Sequence, residues 1–152
     1  MKVTVLLRND HETVKSLFDK LKTPNSGRNQ NTKRELFNDI RREILIHTQM
    51  EMEIFYPALA ATSSERATEL VSLAEREHHA IEKLLQDLNL MGASDKDFEA
   101  RMGDLMEEVG RHFEMEEEEI FDEARKNLPE YRLEELGLEM EARRKILSTL
   151  AA

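Results

Sequence analysis

Cysteine is missing from all 152 residues, which excludes disulfides, iron–sulfur clusters, thiolate metal sites and cysteine nucleophiles together. Any metal must then be held by nitrogen and oxygen. Glycine and proline are scarce, at 5 and 3, and β-branched residues never gather into alternating runs, while Glu, Leu, Arg and Lys abound. That balance predicts an all-α chain. Long apolar runs are lacking as well. The amino-terminal stretch Val3 to Leu7 is closed by Arg8, too short for a signal peptide or a membrane span. A soluble cytoplasmic protein with no membrane partner is the expectation. Positive charge is in deficit, with 22 Lys and Arg against 32 Asp and Glu for a formal charge of −10, which argues against nucleic acid as a partner. No catalytic triad or phosphate-cradling loop is visible, and nothing indicates an oligomeric state.

The length suits one domain with a core of its own. Apolar residues at i, i+3, i+4 and i+7 trace four helices. The first runs from about Val3 to Leu21 and ends in the breaker cluster Thr23-Pro24-Asn25-Ser26-Gly27. The second runs roughly from Thr32 to Phe55 and stops at Pro57. A third is capped at Thr62-Ser63-Ser64 and closed near Gly92, and a fourth opens at a capping box of Ser94 with Asp97 and ends between Asn127 and Pro129. The remainder reads as a short helical tail interrupted by Gly137. The expected architecture is an up-down-up-down four-helix bundle over residues 1–127, with a C-terminal helical extension, 128–152, packed on it.

The chain also repeats itself. Asp10-His11 returns 67 residues later as Glu77-His78, and His47-x-x-Met50-Glu51 returns 65 residues later as His112-x-x-Met115-Glu116. Four of the five histidines thus belong to two copies of one pattern, a lone His followed by a His-x-x-x-Glu. Each of these histidines interrupts an apolar stripe, and a polar group there is costly unless something pairs with it. In each His-x-x-x-Glu the carboxylate lies one turn on, about 40° round and about 6 Å along the axis, so both side chains reach one point in the interior. Four imidazoles and two carboxylates are too many for one tetrahedral zinc, and they suit two ions of higher coordination number bridged by the carboxylates. Two divalent ions with a bridging hydroxide would leave this set close to neutral. His79 has polar helical neighbours throughout, among them Glu75, Glu82 and Lys83, and reads as a surface residue. Glu53 and Glu118 lie about 200° round from the two repeated glutamates and read as solvated. Met50 and Met115 read as filler around the site.

These positions resemble the hemerythrin-like (HHE cation-binding) domain, a four-helix bundle around a non-haem di-iron site. The resemblance covers roughly residues 1 to 125 and includes Phe55-Tyr56-Pro57 and the run from Glu116 to Phe121. It implies a cofactor of two iron ions bridged by Glu51, Glu116 and an oxo or hydroxo group, one iron on His11 and His47, the other on His78 and His112. The partner it implies is a small diatomic ligand, dioxygen or nitric oxide, or peroxide, with catalase-like peroxide decomposition as one possible activity. Oxygen carriers of this family have a further His four residues after the third-helix one, where this chain has Glu82. Glu82 either supplies a carboxylate to the metal or faces water. In both cases the departure favours handling or sensing of reactive species over bulk oxygen transport. Tyr56 either swings a phenolate toward iron or packs at the end of the bundle with its hydroxyl on a backbone group. Two other readings remain. A ferritin-like iron-storage bundle needs Glu-x-x-His on two helices, and only Glu75-x-x-His78 supplies it. A helical interaction module would use metal mainly as structure.

Overall fold

The computed structural model describes residues 1–23 and 30–151. It is an all-helical bundle: α1 (Val3–Lys22), α2 (Gln30–Met50), a π-helical turn (Glu51–Phe55), α3 (Tyr56–Ala60), α4 (Glu65–Leu90), α5 (Phe98–Met115), a second π-helical turn (Glu116–Ile120), α6 (Phe121–Asn127) and α7 (Glu130–Ala151). Helix α1 packs on α2 and α7, α4 packs on α5, and α7 also lies along α2. None of these helices is long and apolar enough to cross a membrane.

Local chemistry explains most boundaries. The Ser64 hydroxyl accepts from the Ala67 N–H at 3.0 Å and caps α4 as expected. Lys20 and Lys22 occupy the last turn of α1, where the helix dipole favours cations. The part of the expected breaker after Thr23 lies outside the described residues. Helix α5 starts differently from expectation. Its cap position, Asp97, makes no side-chain capping bond, and the Asp97 N–H instead donates to the Asp95 carboxylate at 2.9 Å in a local turn. Nor does the second helix stop at Pro57. The π-turn carries the chain into α3, and Pro57 falls in the first turn of that segment, where a missing N–H costs least.

The largest correction concerns the C-terminal segment. It is no short, interrupted tail but a continuous helix of 22 residues. Gly137 is buried in its middle because the amino terminus crosses there, and a Cβ at this position would stand 1.9 Å from the Met1 carbonyl oxygen. The glycine permits a close approach and does not end the helix.

The four histidines and two glutamates divide the hydrophobic core in two. On one side lie Leu7, Met50, Phe55, Leu59, Ala74, Phe121 and Met140; on the other Val14, Phe37, Ile40, Ile81, Leu85, Phe98 and Val109. A buried polar layer across a bundle forfeits apolar burial and desolvates every group in it. Such a layer persists only where its own interactions offset that cost.

Candidate metal centre

Each of the four main helical stretches contributes to the layer: His11 from α1, His47 from α2 with Glu51 from the adjoining π-turn, His78 from α4, and His112 from α5 with Glu116 from the second π-turn. All six side chains are at most 2% exposed. The π-turns begin at the two glutamates, so each carboxylate sits where the helix changes its hydrogen-bond pattern, a distortion that recurs at functional sites.

The rings point inward with Nε2. His11 Nε2 lies 3.0 Å from Glu116 Oε1, while His47 Nε2 lies 3.3 Å from Glu51 Oε1 and 3.8 Å from Glu116 Oε1. His78 Nε2 lies 3.1 Å from Glu51 Oε1 and 3.1 Å from His112 Nε2, and His112 Nε2 is 3.9 Å from Glu116 Oε2. Potential ligand atoms fall into two groups, each within 4.8 Å of one another: His11, His47, Glu51 and Glu116, and then Glu51, His78 and His112. Glu51 belongs to both.

Behind the rings stands a second row of acids that the sequence reading left without a role. Asp10 takes a hydrogen bond from His47 Nδ1 at 3.0 Å, Glu77 from His112 Nδ1 at 2.7 Å, and Glu117 from His11 Nδ1 at 2.8 Å. The repeat holds the signal, because an acid precedes the lone His in both copies, and each serves the His of a neighbouring helix and not its own. Arg144 of α7 pairs in turn with Asp10, and Arg8 approaches Glu117 at 3.6 Å.

Tautomers follow from this row. An ionised carboxylate only accepts, so each braced ring carries a proton on Nδ1, and in its neutral form the inward Nε2 carries a lone pair. Those lone pairs face carboxylate oxygens, acceptor against acceptor. His47 Nε2 and both oxygens of Glu51 have no hydrogen-bond partner at all. Leaving such buried groups unsatisfied costs about 1–3 kcal/mol each. Only cations among them, protons or metal ions, remove the conflict. Burial opposes a charge on His47, but Glu51, Asp10 and Glu116 outweigh it and raise its pKa well above the ordinary value. Burial likewise opposes charge on His112, and Glu77 with Glu116 prevails and raises it. The same balance lowers Glu116: burial works against the carboxylate, and the neighbouring side chains of Glu51, His11, His47 and His112 hold it well below its usual range. The layer is built to attract positive charge, and its nitrogen and oxygen donors fit a borderline divalent metal.

Tyr56 does not pack at the end of the bundle with its hydroxyl on the backbone, but turns it toward the cluster. It is buried beside His78, with ring centroids 5.5 Å apart, and its hydroxyl donates to Glu116 Oε2 and not to the backbone. Burial, with Glu116 and Glu51 nearby, pushes its pKa well above the usual tyrosine value, so the hydroxyl keeps its proton and serves as a hydrogen-bond donor. Glu82 is on the outer face of α4 with 52% of its side chain exposed, 3.9 Å from His79, which is 77% exposed. Of the two courses open to Glu82, the structure shows the one toward water. Glu53 is also exposed, as expected, but is not free: Arg143 of α7 pairs with it at 2.7 Å.

The chain is similar to known proteins. Residues 3–124 match the model of the hemerythrin HHE cation-binding domain. The crystal structure of a hemerythrin HHE cation-binding domain-containing protein from Mycobacterium kansasii superposes with a TM-score of 0.83, covering 97% of this chain and 87% of that one at 24% identity, a likeness of fold. A DNA nickase of Nostoc sp. is 26% identical over 142 residues, 93% of this chain, and the chain spans only 39% of that relative's length.

Proposed function

The chain belongs to the hemerythrin HHE cation-binding family, and on that footing we propose that it is a non-haem di-iron protein that binds or processes dioxygen, peroxide or nitric oxide. The helices would run up-down-up-down over residues 1–127, with α7 as an extension along α1 and α2. His11 and His47 would hold one ion, His78 and His112 the other, with Glu51, Glu116 and an oxo or hydroxo group between them. One observation carries the reading: imidazoles braced from behind by carboxylates turn Nε2 inward beside Glu51, neither of whose oxygens has a hydrogen-bond partner. Metal-binding histidines are oriented in this way.

When bound, two irons supply one-electron redox chemistry and Lewis acidity toward a small ligand. The protein's part is to position, to dry and to hold protons. Phe113 stacks on His11 with centroids 3.8 Å apart, and Phe121, from the other half of the core, lies nearly parallel to it at 6.0 Å, so apolar rings keep water from this histidine. Tyr56 keeps a proton at Glu116 Oε2. A hydroxyl held there places a hydrogen-bond donor beside the centre, which suits a reduced oxygen or peroxide species carrying negative charge. For that reason, and because a carboxylate facing water replaces the carriers' extra histidine, reactive-species handling or sensing is favoured over bulk oxygen transport. The curated relative's activity on DNA is not carried over, since a formal charge of −10 repels a phosphate backbone.

Metal analysis of the purified chain tests the centre: two irons per chain are expected, and one ion or zinc alone would remove the di-iron reading. Mixing the reduced protein with oxygen or nitric oxide, and the oxidised protein with hydrogen peroxide, separates the functions. A long-lived reversible oxygen adduct would overturn the preference stated here, and sustained peroxide consumption would establish catalase-like turnover.

A further inference from the structure

The two halves of the layer are not equivalent, and the difference falls on one atom. His78 Nδ1 is buried and has no hydrogen-bond partner, whereas the Nδ1 atoms of His11, His47 and His112 all rest on carboxylates at 2.7–3.0 Å. The repeat shows the cause. Glu117, which holds His11, follows Glu116 by one residue, and the residue that follows Glu51 by one is Met52. Both positions lie second in a π-turn, so the backbone offers the same platform twice. By the repeat, a thioether stands at the position of the carboxylate, and Met52 is 39% exposed.

An unbraced ring has no fixed tautomer and a weaker lone pair. Its Nε2 proton is lost to a metal only after the proton is moved or given up, whereas the braced rings already present Nε2 bare. We propose that the two metal positions differ in affinity because Met52 leaves His78 unbraced: the His11–His47 position fills first and holds, and the His78–His112 position fills second and empties first. Met52 is in this sense a positioning residue by omission. The inference rests on the di-iron reading and adds to it an order of loading.

Loss of such a brace changes metal affinity about ten- to a hundredfold. The test is release of ferrous iron from the anaerobically loaded full-length chain to a colorimetric chelator, with total iron counted first. Two phases of equal amplitude are expected, their rates separated by about that factor. Met52→Glu slows the fast phase and leaves the slow one. Glu117→Met accelerates the slow phase and leaves the fast one, so that the halves become alike. Circular dichroism before loading checks that each variant keeps its helices, and Met52→Gln, which can accept a hydrogen bond without adding charge, gives part of the slowing if orientation is the cause. Two irons leaving in a single phase, or Met52→Glu changing neither rate, overturns the inference and leaves the di-iron reading in place. One iron or none in both the parent and Met52→Glu overturns the inference and the di-iron reading together.

Discussion

His11 and His78 hold the same place in the two copies of the repeat, yet the surroundings of the two rings have diverged. Around His11 stand Glu117 at Nδ1, Phe113 stacked on the ring and Phe121 nearly parallel to it at 6.0 Å. Around His78, a shift of 65 residues turns these three into Met52, Thr48 and Tyr56. The first half is braced and dry. The second has an unpartnered Nδ1 and a phenol that reaches a carboxylate of the cluster. The acids behind the other two rings have diverged too, since Asp10 is anchored to α7 through Arg144, while among the described residues no Lys or Arg pairs with Glu77. Duplication conserves the atoms that face the centre, and the second row is free to specialise each half.

The strongest way to break the comparison is to remove what the halves share. Glu51 belongs to both ligand groups, so Glu51→Ala should empty both positions, with iron content falling from two toward none. Stabilisation by a bound ion is about 4 kcal/mol at a thousandfold excess over its Kd. At roughly 2–4 °C per kcal/mol for a chain of this size, the variant and the chelated parent should both melt on the order of 10 °C or more below the loaded protein in a thermal scan.

A sharper comparison sets Asp10→Asn against Glu77→Gln. Each should weaken iron binding about ten- to a hundredfold, read by competition with a chelator. Only Asp10→Asn should also lower the stability of the metal-free protein, by about 1–3 kcal/mol, because it leaves the half-buried Arg144 without its nearest carboxylate. Equal losses in the metal-free state would show that α7 does not support the first half.

Gly137→Ala probes the same support from a distance. A methyl group 1.9 Å from the Met1 carbonyl must push the amino terminus or α7 aside, at about 1–3 kcal/mol for an overpacked site. The melting temperature should fall while iron is still bound at two per chain.

The smallest effect is expected at the surface pair of Glu53 and Arg143. Hydrogen bonding from Arg143, assisted by Gln49, lowers the Glu53 pKa below its ordinary 4.5. A lowered carboxylate stabilises above its unfolded value and loses that contribution as pH falls through the folded one. Acid unfolding of Arg143→Ala should therefore differ slightly from the parent above about pH 4.5 and converge on it as pH falls through the lowered Glu53 value, with a smaller difference in high salt. A large gap at neutral pH would show that α7 anchors the π-turn more firmly than an exposed pair allows.

Much of this was legible in the chain. Helical period identified the faces, Ser64 announced its cap, and the repeated histidines and glutamates stood out because charge inside an apolar stripe is expensive. His79 separated from His78 by its polar neighbours alone. The two π-turns were not legible: His-x-x-x-Glu reads as one α-helical turn, and whether the backbone widens just after the glutamate depends on what packs against it. Gly137 was misread as a break, since a glycine in a helical pattern looks the same whether it ends the helix or admits another backbone. Asp10, Glu77 and Glu117 were visible as letters, but their roles lie across helices.

By itself the sequence determined an all-helical chain with six inward polar residues in two copies, because periodicity and the cost of burying charge are properties of each helix alone. Tertiary structure decided which acid braces which ring, which ring goes without, and where Tyr56 sends its proton. Those depend on distances of about 3 Å between residues up to 106 positions apart, and no local pattern encodes them.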